Sequence, residues 1–317
     1  MIRLLLCLTL LLPTLPSWAE DFPTHPLKII VPTGAGGITD VLARLVADKL
    51  GKAGGQPVVV ENRPGASGII GSDYVARAAP DGYTLLFVYP SHPVNPSLFT
   101  KLPYDTATAF VPIVRITTFP AVLLVKDDFP AHTLAELIAL AKSKSEPLAY
   151  GSVGNGSLAF LAAELFAQKA GIKLEQVPYK GAPQTMMGLL SGDISIYFDV
   201  PLTALPQMKS GKVRALAVTS AARLAAMPDV PAAAETLPGF EALGWNAILA
   251  PKGTPDAIVA KLNQLTVGVL KTPEVQNELA EQGLTIVADS PAEFGAALKA
   301  DLVKWAEVLK NAGIKPE

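Results

Sequence analysis

Apolar and polar residues alternate along the first third of the chain in short blocks that predict strands followed by helices. Residues 28–31 form a short apolar run, and the apolar residues within 38–50 recur at helical spacing. The β-branched run 58–60 predicts a second strand, a helix follows to about residue 79, and 84–88 predicts a third strand. A succession of strand, helix, strand, helix and strand indicates a mostly parallel sheet covered by helices.

The same pattern begins again in the middle of the chain. Two extended apolar runs, 111–118 and 121–125, precede a helix that starts at the capping-box sequence Thr133-Leu134-Ala135-Glu136. Further strands are predicted at 148–151, 174–178, 194–198 and 213–219, with helices at 157–170 and 182–190. This restart near residue 124 predicts a second α/β unit.

Three helices are predicted near the end of the chain, after an extended run at 245–251. Thr254-Pro255, Thr272-Pro273 and Ser290-Pro291 each place a proline at a first helical position, where its missing N–H costs nothing. We expect these helices to pack on the first unit, so that the second unit is inserted within the first. Two sequential domains are the alternative.

The first 19 residues have the pattern of a secretory signal peptide. Arg3 precedes an apolar run at 4–12, and Ser17 and Ala19 stand at positions −3 and −1 of a cleavage site. The run is too short to span a bilayer, which takes about 20 residues; a membrane anchor is the alternative. The signal peptide therefore predicts an exported protein. Together with the inserted second unit, the sequence predicts lobe 1 at 20–123 and 250–317 and lobe 2 at 124–249.

Composition narrows the class of protein further. The chain has 317 residues, half of them hydrophobic and 17% charged, which excludes a disordered protein and allows two domains with separate cores. The net charge is −2, and no basic stripe with interleaved aromatic residues is present, so we expect no nucleic-acid partner. Cys7 is the one cysteine, and its removal with the signal peptide excludes disulfides and thiol chemistry.

Two glycine-rich loops each follow a predicted strand and open a predicted helix. They read Pro32-Thr33-Gly34-Ala35-Gly36-Gly37-Ile38-Thr39-Asp40 and Gly151-Ser152-Val153-Gly154-Asn155-Gly156-Ser157. Glycine lets the backbone approach a ligand closely, and a helix start presents N–H groups with partial positive charge. Such loops suit an anion, often a carboxylate or phosphate, and two of them predict two lobes that close on one ligand.

The first loop has a simpler alternative, a plain strand-to-helix turn. Three glycines in four residues exceed what such a turn needs and weaken the chain. Asp40 is predicted either to cap its helix or to order the loop by accepting backbone N–H bonds. Direct contact between Asp40 and an anionic ligand is disfavoured, because like charges repel.

Two enzymatic interpretations fit these motifs less well. A dinucleotide-binding G-x-G-x-x-G motif would need glycine where Thr39 stands, although Glu61 lies in roughly the right place for a ribose-binding acid. A nucleophile elbow G-x-S-x-G would need glycine where Tyr150 stands. An exported hydrolase that uses Ser152 or Ser67 with His92 remains the rival hypothesis.

Several polar side chains follow predicted strands, where residues of α/β folds face a cleft. Ser91 and His92 follow the third strand and are predicted to be hydrogen-bonding residues of the cleft wall. Lys180 adds positive charge to the cleft or is an ordinary surface lysine. Asp199 either lies at the cleft edge or acts as a helix cap just before Pro201. We expect no metal site, because the histidines lack i,i+4 spacing and carboxylate neighbours.

Five motifs spread over the mature chain carry a family resemblance. They are Pro32 to Asp40 with its paired glycines, Asn62-Arg63-Pro64-Gly65-Ala66-Ser67-Gly68, Pro80-Asp81-Gly82-Tyr83-Thr84-Leu85, Tyr150-Gly151-Ser152-Val153-Gly154-Asn155-Gly156-Ser157 and Pro178-Tyr179-Lys180-Gly181. Together they resemble the substrate-binding receptors of tripartite tricarboxylate transporters, the Bug family of bacterial periplasmic proteins.

The resemblance implies a two-lobe periplasmic-binding-protein (Venus flytrap) fold of the α/β class, each lobe a mostly parallel sheet with flanking helices. It implies a receptor rather than an enzyme, with no cofactor and no metal. Such a receptor captures a small mono- or dicarboxylate between its lobes and delivers it to membrane permease subunits. We expect it to be a monomer.

The resemblance also implies a binding site made of loop backbone amides and ordered water, without an arginine clamp. On the first lobe, the residues implied around one carboxylate are Gly36, Gly37, Ile38 and Thr39, with Ala66, Ser67, Ser91 and His92 on the same side. On the facing wall, the implied residues are Ser152, Gly154, Gly156, Ser157, Lys180 and Asp199.

Overall fold

The computed structural model describes residues 22–316, and the predicted signal peptide lies outside the described residues. In chain order, the strands between residues 22 and 316 are β1 (Leu27–Val31), β2 (Val58–Asn62), β3 (Thr84–Val88), β4 (Phe110–Pro120), β5 (Val122–Lys126), β6 (Leu148–Ser152), β7 (Leu174–Pro178), β8 (Ile196–Asp199), β9 (Val213–Val218), β10 (Leu243–Pro251) and β11 (Thr285–Ile286). None of the helices in that range combines the length and apolar character that crossing a bilayer requires.

Most helices of the same range lie close to where the sequence pattern predicts them. They are α1 (Ile38–Gly54), α2 (Ile69–Ala76), α3 (Ser91–Leu98), α4 (Leu134–Ser143), α5 (Leu158–Ala170), α6 (Ala182–Ser191), α7 (Pro201–Lys209), α8 (Asp256–Leu270), α9 (Pro273–Glu281) and α10 (Pro291–Asn311). The predicted capping box at Ser290 forms: its hydroxyl accepts from the Glu293 N–H, and the Glu293 carboxylate accepts from the Ser290 N–H. At Thr133 only half of the predicted box forms. Its hydroxyl accepts from the Glu136 N–H, but the Glu136 carboxylate accepts from the His132 N–H instead.

Each lobe is built on one sheet. The first sheet has the strand order β11-β4-β10-β3-β1-β2 and the second β7-β6-β8-β5-β9. Strands β1 to β4 run in one direction, and β10 and β11 run against them. In the second sheet only β5 runs against the others. The two-lobe α/β fold is therefore confirmed, and both sheets are mixed: most strands of each sheet run in one direction, while β10 and β11 in the first and β5 in the second pair antiparallel with their neighbours.

The chain crosses between the sheets twice, once from β4 to β5 and once from β9 to β10. Thr219 joins the two crossings: its hydroxyl accepts from the Ala121 N–H at 2.7 Å and donates to the Ala242 carbonyl at 2.6 Å. The backbone of Thr219 bonds the same two residues, at 2.9 Å each. We propose lobe boundaries at these crossings; the predicted positions near 124 and 250 fall inside β5 and β10, whose pairing assigns each whole strand to one sheet.

Hydrophobic burial explains how the helices pack on the two sheets. Helix α1 buries Leu42, Val46 and Leu50 on one face, while α5 is apolar on most sides and buried along most of its length. Helix α8 packs on α1 and β4, and α10 packs on α3 and β4, so the C-terminal helices contact elements of the first lobe.

Helix α3 was not predicted from the sequence, and α7 entered only through the alternative role of Asp199 as a cap before Pro201; the N-cap residue of α7 is Val200. Pro96 lies inside α3 and Pro206 lies inside α7. Proline removes an N–H from the helical ladder and is usually a helix breaker. Tertiary packing overrides that signal here, since α3 is buried against α10 of the same lobe.

Candidate functional site

A cavity of about 300 Å³ lies between the two lobes, where the carboxyl ends of strands from both sheets meet. The lining residues are Thr33, Gly37, Ile38, Thr39, Tyr89, Pro90 and Phe119 from the first lobe, and Val153, Ser157, Leu158, Ala159, Ala182, Tyr197, Phe198, Asp199 and Val200 from the second. A larger groove, of about 890 Å³, lies between α5 and α10 but receives none of these strand ends.

The first lobe contributes the start of helix α1 to this cavity. Gly37 is the N-cap residue, and no side chain of the described residues caps the helix. The N–H groups of Ile38 and Thr39 precede the first intrahelical bond, which runs from the Val41 N–H to the Gly37 carbonyl at 3.0 Å. The positive end of α1 therefore faces the cavity with free donors.

Asp40 holds the loop that precedes α1. The residue is only 2% exposed, and its carboxylate accepts from the Gly36 N–H at 2.8 Å, from Arg44 Nε at 3.1 Å and from Asn62 Nδ2 at 2.8 Å. Burial works to raise the pKa of Asp40, but these donors outweigh it and hold the pKa below its usual value. Of the two roles predicted for Asp40, the geometry corresponds to ordering the loop.

The second lobe contributes the start of helix α5. Ser157 is the N-cap residue, and its hydroxyl accepts from the Phe160 N–H at 3.3 Å. This cap leaves the N–H groups of Leu158 and Ala159 without an intrahelical acceptor, and both residues line the cavity. Helices α1 and α5 thus present their positive ends to one space from opposite lobes.

The side chain of Ser152 holds the loop before α5 through hydrogen bonds. It is fully buried, and its hydroxyl accepts from the Gly154 N–H at 3.3 Å and from Gln176 Nε2 at 2.8 Å. Gln176 also donates to the Asn155 side chain at 3.1 Å. Neither Ser152 nor Gly154 lines the cavity.

Gly65, Ala66, Ser67 and Gly68 all have positive φ, between 46° and 128°. The Ser67 carbonyl accepts from the Ser91 hydroxyl and from Asn95 Nδ2, each at 3.1 Å, and these bonds hold a conformation that is strained for alanine and serine. Ala66, Ser67 and Ser91 do not line the cavity. Gly68 lies against the ring of Tyr89, and Tyr89 does line the cavity. The segment 65–68 therefore packs behind the cavity wall and supports it.

His92 is placed behind the cavity rather than in its wall. It is 2% exposed, and its ring packs edge-on against Phe110 at 5.2 Å between centroids. Burial lowers the pKa of His92 to about 3, and neither ring nitrogen has a hydrogen-bond partner among the described residues. A serine–histidine nucleophile needs such a bond, so the geometry gives no support to the hydrolase hypothesis.

Asp199 and Lys180, both predicted for the second-lobe wall of the site, differ in position and burial. Asp199 lines the cavity at the end of β8 and is 3% exposed, whereas Lys180 is exposed on the loop before α6. Burial raises the pKa of Asp199, and the nearby Thr203 hydroxyl, Val200 N–H and Tyr197 hydroxyl offset part of the rise. Its Oδ1 accepts from the Val200 N–H at 2.9 Å.

The structure brings five of the proposed site residues to the cavity: Gly37, Ile38, Thr39, Ser157 and Asp199. Those that it places outside the lining are Gly36, Ala66, Ser67, Ser91, His92, Ser152, Gly154, Gly156 and Lys180. Sequence reasoning missed most of the apolar wall. Tyr89 and Pro90 directly follow a predicted strand, and that position could have predicted them as cleft residues. Phe119 lies within a strand, and nothing in its local sequence indicates that it lines the cavity.

The fold and the site define a two-lobed binding protein whose cavity is lined by helix N-termini and aromatic side chains. The model of the tripartite tricarboxylate transporter family receptor (TctC) matches residues 42–314, so the chain belongs to this family. The resemblance to Bug receptors is thereby confirmed, as is the expectation that the chain is a receptor and not an enzyme.

Similar proteins agree with this assignment. Protein BugT of Bordetella pertussis is 37% identical over 303 residues, which cover 95% of this chain and 93% of BugT. The structure of R. palustris Rpa4515 with adipate has a TM-score of 0.83 and 35% identity, covering 94% of this chain and all of that chain. MatC from Rhodopseudomonas palustris with bound malate has a TM-score of 0.79 and 32% identity, covering 91% and 100%.

Proposed function

We propose that this protein is a periplasmic receptor that captures a small carboxylic acid between its lobes and delivers it to the membrane subunits of a tripartite tricarboxylate-type transporter. One observation carries the proposal: the N-termini of α1 and α5 face a single cavity from opposite lobes. The free N–H groups at these helix starts suit a carboxylate. No lysine or arginine is among the lining residues, so backbone dipoles supply the positive potential.

The rest of the cavity indicates what the remainder of the ligand resembles. Tyr89, Phe119 and Phe198 give the wall a largely apolar character. Two related proteins were solved with adipate and with malate, which are small acids. A volume of about 300 Å³ accepts molecules of that size. We infer that the ligand is a small acid with a partly apolar body.

Lobe closure links binding to delivery in this proposal. The lobes are joined by two crossings, at residue 121 and at residues 219–242, which hydrogen bonds of Thr219 tie together, an arrangement suited to a hinge. Closure buries the acid and changes the surface that a membrane partner meets. The predicted N-terminal signal peptide supports a periplasmic location, and we propose that the receptor acts as a monomer.

A thermal-shift screen of the mature chain, residues 20–317, tests the binding function. We expect at least one small carboxylic acid to raise the melting temperature with a concentration dependence that follows its Kd. The primary amide of the same acid is the matched control, because it keeps the shape and loses the charge. Equal stabilisation by the acid and its amide would contradict carboxylate recognition, and turnover of the acid would favour an enzyme.

Delivery needs a separate test in the native host. We expect deletion of the receptor to abolish uptake of the acid found in the screen, and a copy of the receptor supplied in trans to restore it. Unchanged uptake would show that this receptor does not serve the transporter.

A further inference from the structure

We propose that Asp199 sets the ligand class: its free carboxylate oxygen accepts a hydrogen bond from a hydroxyl or ammonium group of the bound acid. The preferred ligand is therefore a hydroxy- or aminocarboxylic acid rather than an unsubstituted acid or a dicarboxylate dianion. This inference rests on the proposed function of the same cavity.

The two oxygens of Asp199 are in different situations. Oδ1 accepts from the Val200 N–H at 2.9 Å, which fixes the orientation of the carboxylate. Oδ2 is buried and has no hydrogen-bond partner within residues 22–316. A buried acceptor without a donor is unfavourable, so an occupant of the cavity that carries a donor gains an interaction that an unsubstituted acid lacks.

The protein supplies no charge partner for Asp199 within the cavity. None of the lining residues is cationic. The hydroxyls of Tyr197 and Thr203 lie close enough to the Asp199 carboxylate to lower its pKa, but neither meets Oδ2 with hydrogen-bond geometry, and the Thr203 hydroxyl donates to the Val200 carbonyl at 3.3 Å. The Asp199 carboxylate also opposes a second carboxylate of the ligand, because like charges in a buried site repel. Asp199 therefore both attracts a donor and rejects a dianion.

The position of Asp199 allows one small molecule to reach it from the helix starts. Strands β6 and β8 are neighbours in the second sheet, and Gly151 pairs with Tyr197. Adjacent strands lie about 4.8 Å apart. The loop after β6, which leads into α5, and Asp199 at the end of β8 are thus separated by a distance that a chain of a few carbons spans.

Calorimetric titrations with matched straight-chain acids test the proposal. Two sets are compared, one of four-carbon acids and one of six-carbon acids. Each set contains the unsubstituted acid, the acid with a terminal hydroxyl, the acid with a terminal amino group and the diacid. For wild type, we expect a hydroxy or amino acid to bind at least about tenfold more tightly than the unsubstituted acid and the diacid of the same length.

The substitution Asp199→Asn makes the test sharper. The asparagine oxygen still accepts from the Val200 N–H, while its NH₂ group replaces Oδ2 and turns the acceptor into a donor. We expect the ranking to reverse, so that the diacid gains and the amino acid loses about tenfold in affinity. Asp193→Asn, at an exposed position of the same lobe, is the control and should keep the wild-type ranking.

Wild type alone makes the proposal falsifiable even if the Asp199 variant fails to fold. Diacids or unsubstituted acids that bind wild type as tightly as their hydroxy and amino counterparts would overturn it, as would an unchanged ranking in folded Asp199→Asn. If no acid of any kind binds wild type, the proposed carboxylate function itself fails. Binding of acids without donor preference leaves that function standing and removes only the role of Asp199.

Discussion

Gly156 of the second lobe lies directly against Ser91 of the first. A Cβ atom built on Gly156 would be 3.3 Å from the Ser91 Cβ and 3.4 Å from Leu98 Cδ1. The glycine loop before α5 therefore touches the start of α3 across the cleft, although neither Gly156 nor Ser91 lines the cavity. The absence of a side chain at 156 is what lets the lobes approach this closely.

Gly156→Val is expected to weaken ligand binding by about tenfold or more, because the added side chain holds the lobes apart. Gly154→Val is the matched control: Gly154 also has positive φ, and a Cβ added there would have no neighbour within 4 Å among the described residues. Titration with a ligand from the screen, together with small-angle scattering, measures both variants. Equal losses of affinity would assign the effect to backbone strain instead of lobe contact.

Gly37→Val is expected to abolish ligand-induced stabilisation while the protein stays folded. Gly37 has a φ of −77°, which valine adopts, and its Cβ would meet only the Gly34 carbonyl, at 4.0 Å, among the described residues. The new side chain would stand at the start of α1 and cover the N–H groups that we assign to the carboxylate. Thermal shift with and without ligand checks this, and Gly34→Val in the same loop is the control. Undiminished affinity of Gly37→Val would refute the loop assignment.

Thr219→Val is expected to lower the free energy of unfolding by about 1–3 kcal/mol, because it leaves the Ala121 N–H and the Ala242 carbonyl without their buried partner. Urea denaturation measures the change. Thr266→Val is the control, since Thr266 is also buried but its hydroxyl bonds the Leu262 carbonyl of its own helix. A loss no larger than that of the control would argue against a special role for Thr219 at the crossings.

Gly244→Ala is expected to reduce ligand affinity through Phe119. The two residues pair across β10 and β4, and a Cβ on Gly244 would lie within 3.0 Å of three atoms of the Phe119 ring. The ring has to move, and it forms part of the cavity wall. Overpacking of this kind also costs about 1–3 kcal/mol of stability.

The smaller side chain of Phe119→Leu relieves that clash. We expect the double variant Gly244→Ala, Phe119→Leu to recover stability relative to Gly244→Ala alone, as measured by urea denaturation. Failure to recover would show that the ring is not what the alanine meets.

Asp40→Asn is expected to make stability less sensitive to acid. Folding lowers the pKa of Asp40, so its stabilising contribution is fully present above the unfolded-state pKa, about 3.9, and is lost as pH falls through the folded-state value. Urea denaturation between about pH 5 and pH 2 measures this for wild type and variant. The two curves should converge at the acid end, and parallel curves would contradict the role of Asp40 as an ionised acceptor.

Local signals were sufficient where a helix begins or a loop needs glycine. The cap at Ser290, the start of α5 near Ser157 and the loop at 34–37 before α1 are encoded in a few adjacent residues, and the structure has them where the sequence predicts them. His92 shows the limit of such signals. Its position after a strand suggested the cleft wall, but α3 turns the ring inward to pack on Phe110 and Tyr104.

By itself, the sequence determined most of the strands and helices and their order, the two glycine-rich loops suited to an anion, and the family resemblance. These depend on hydrophobic period, capping residues and glycine content, which act over a few neighbouring positions. Only the tertiary structure decided which side chains share the cavity. Phe119 and Asp199 come from different sheets and far apart in the chain, and their meeting depends on strand pairing and on the two crossings between lobes.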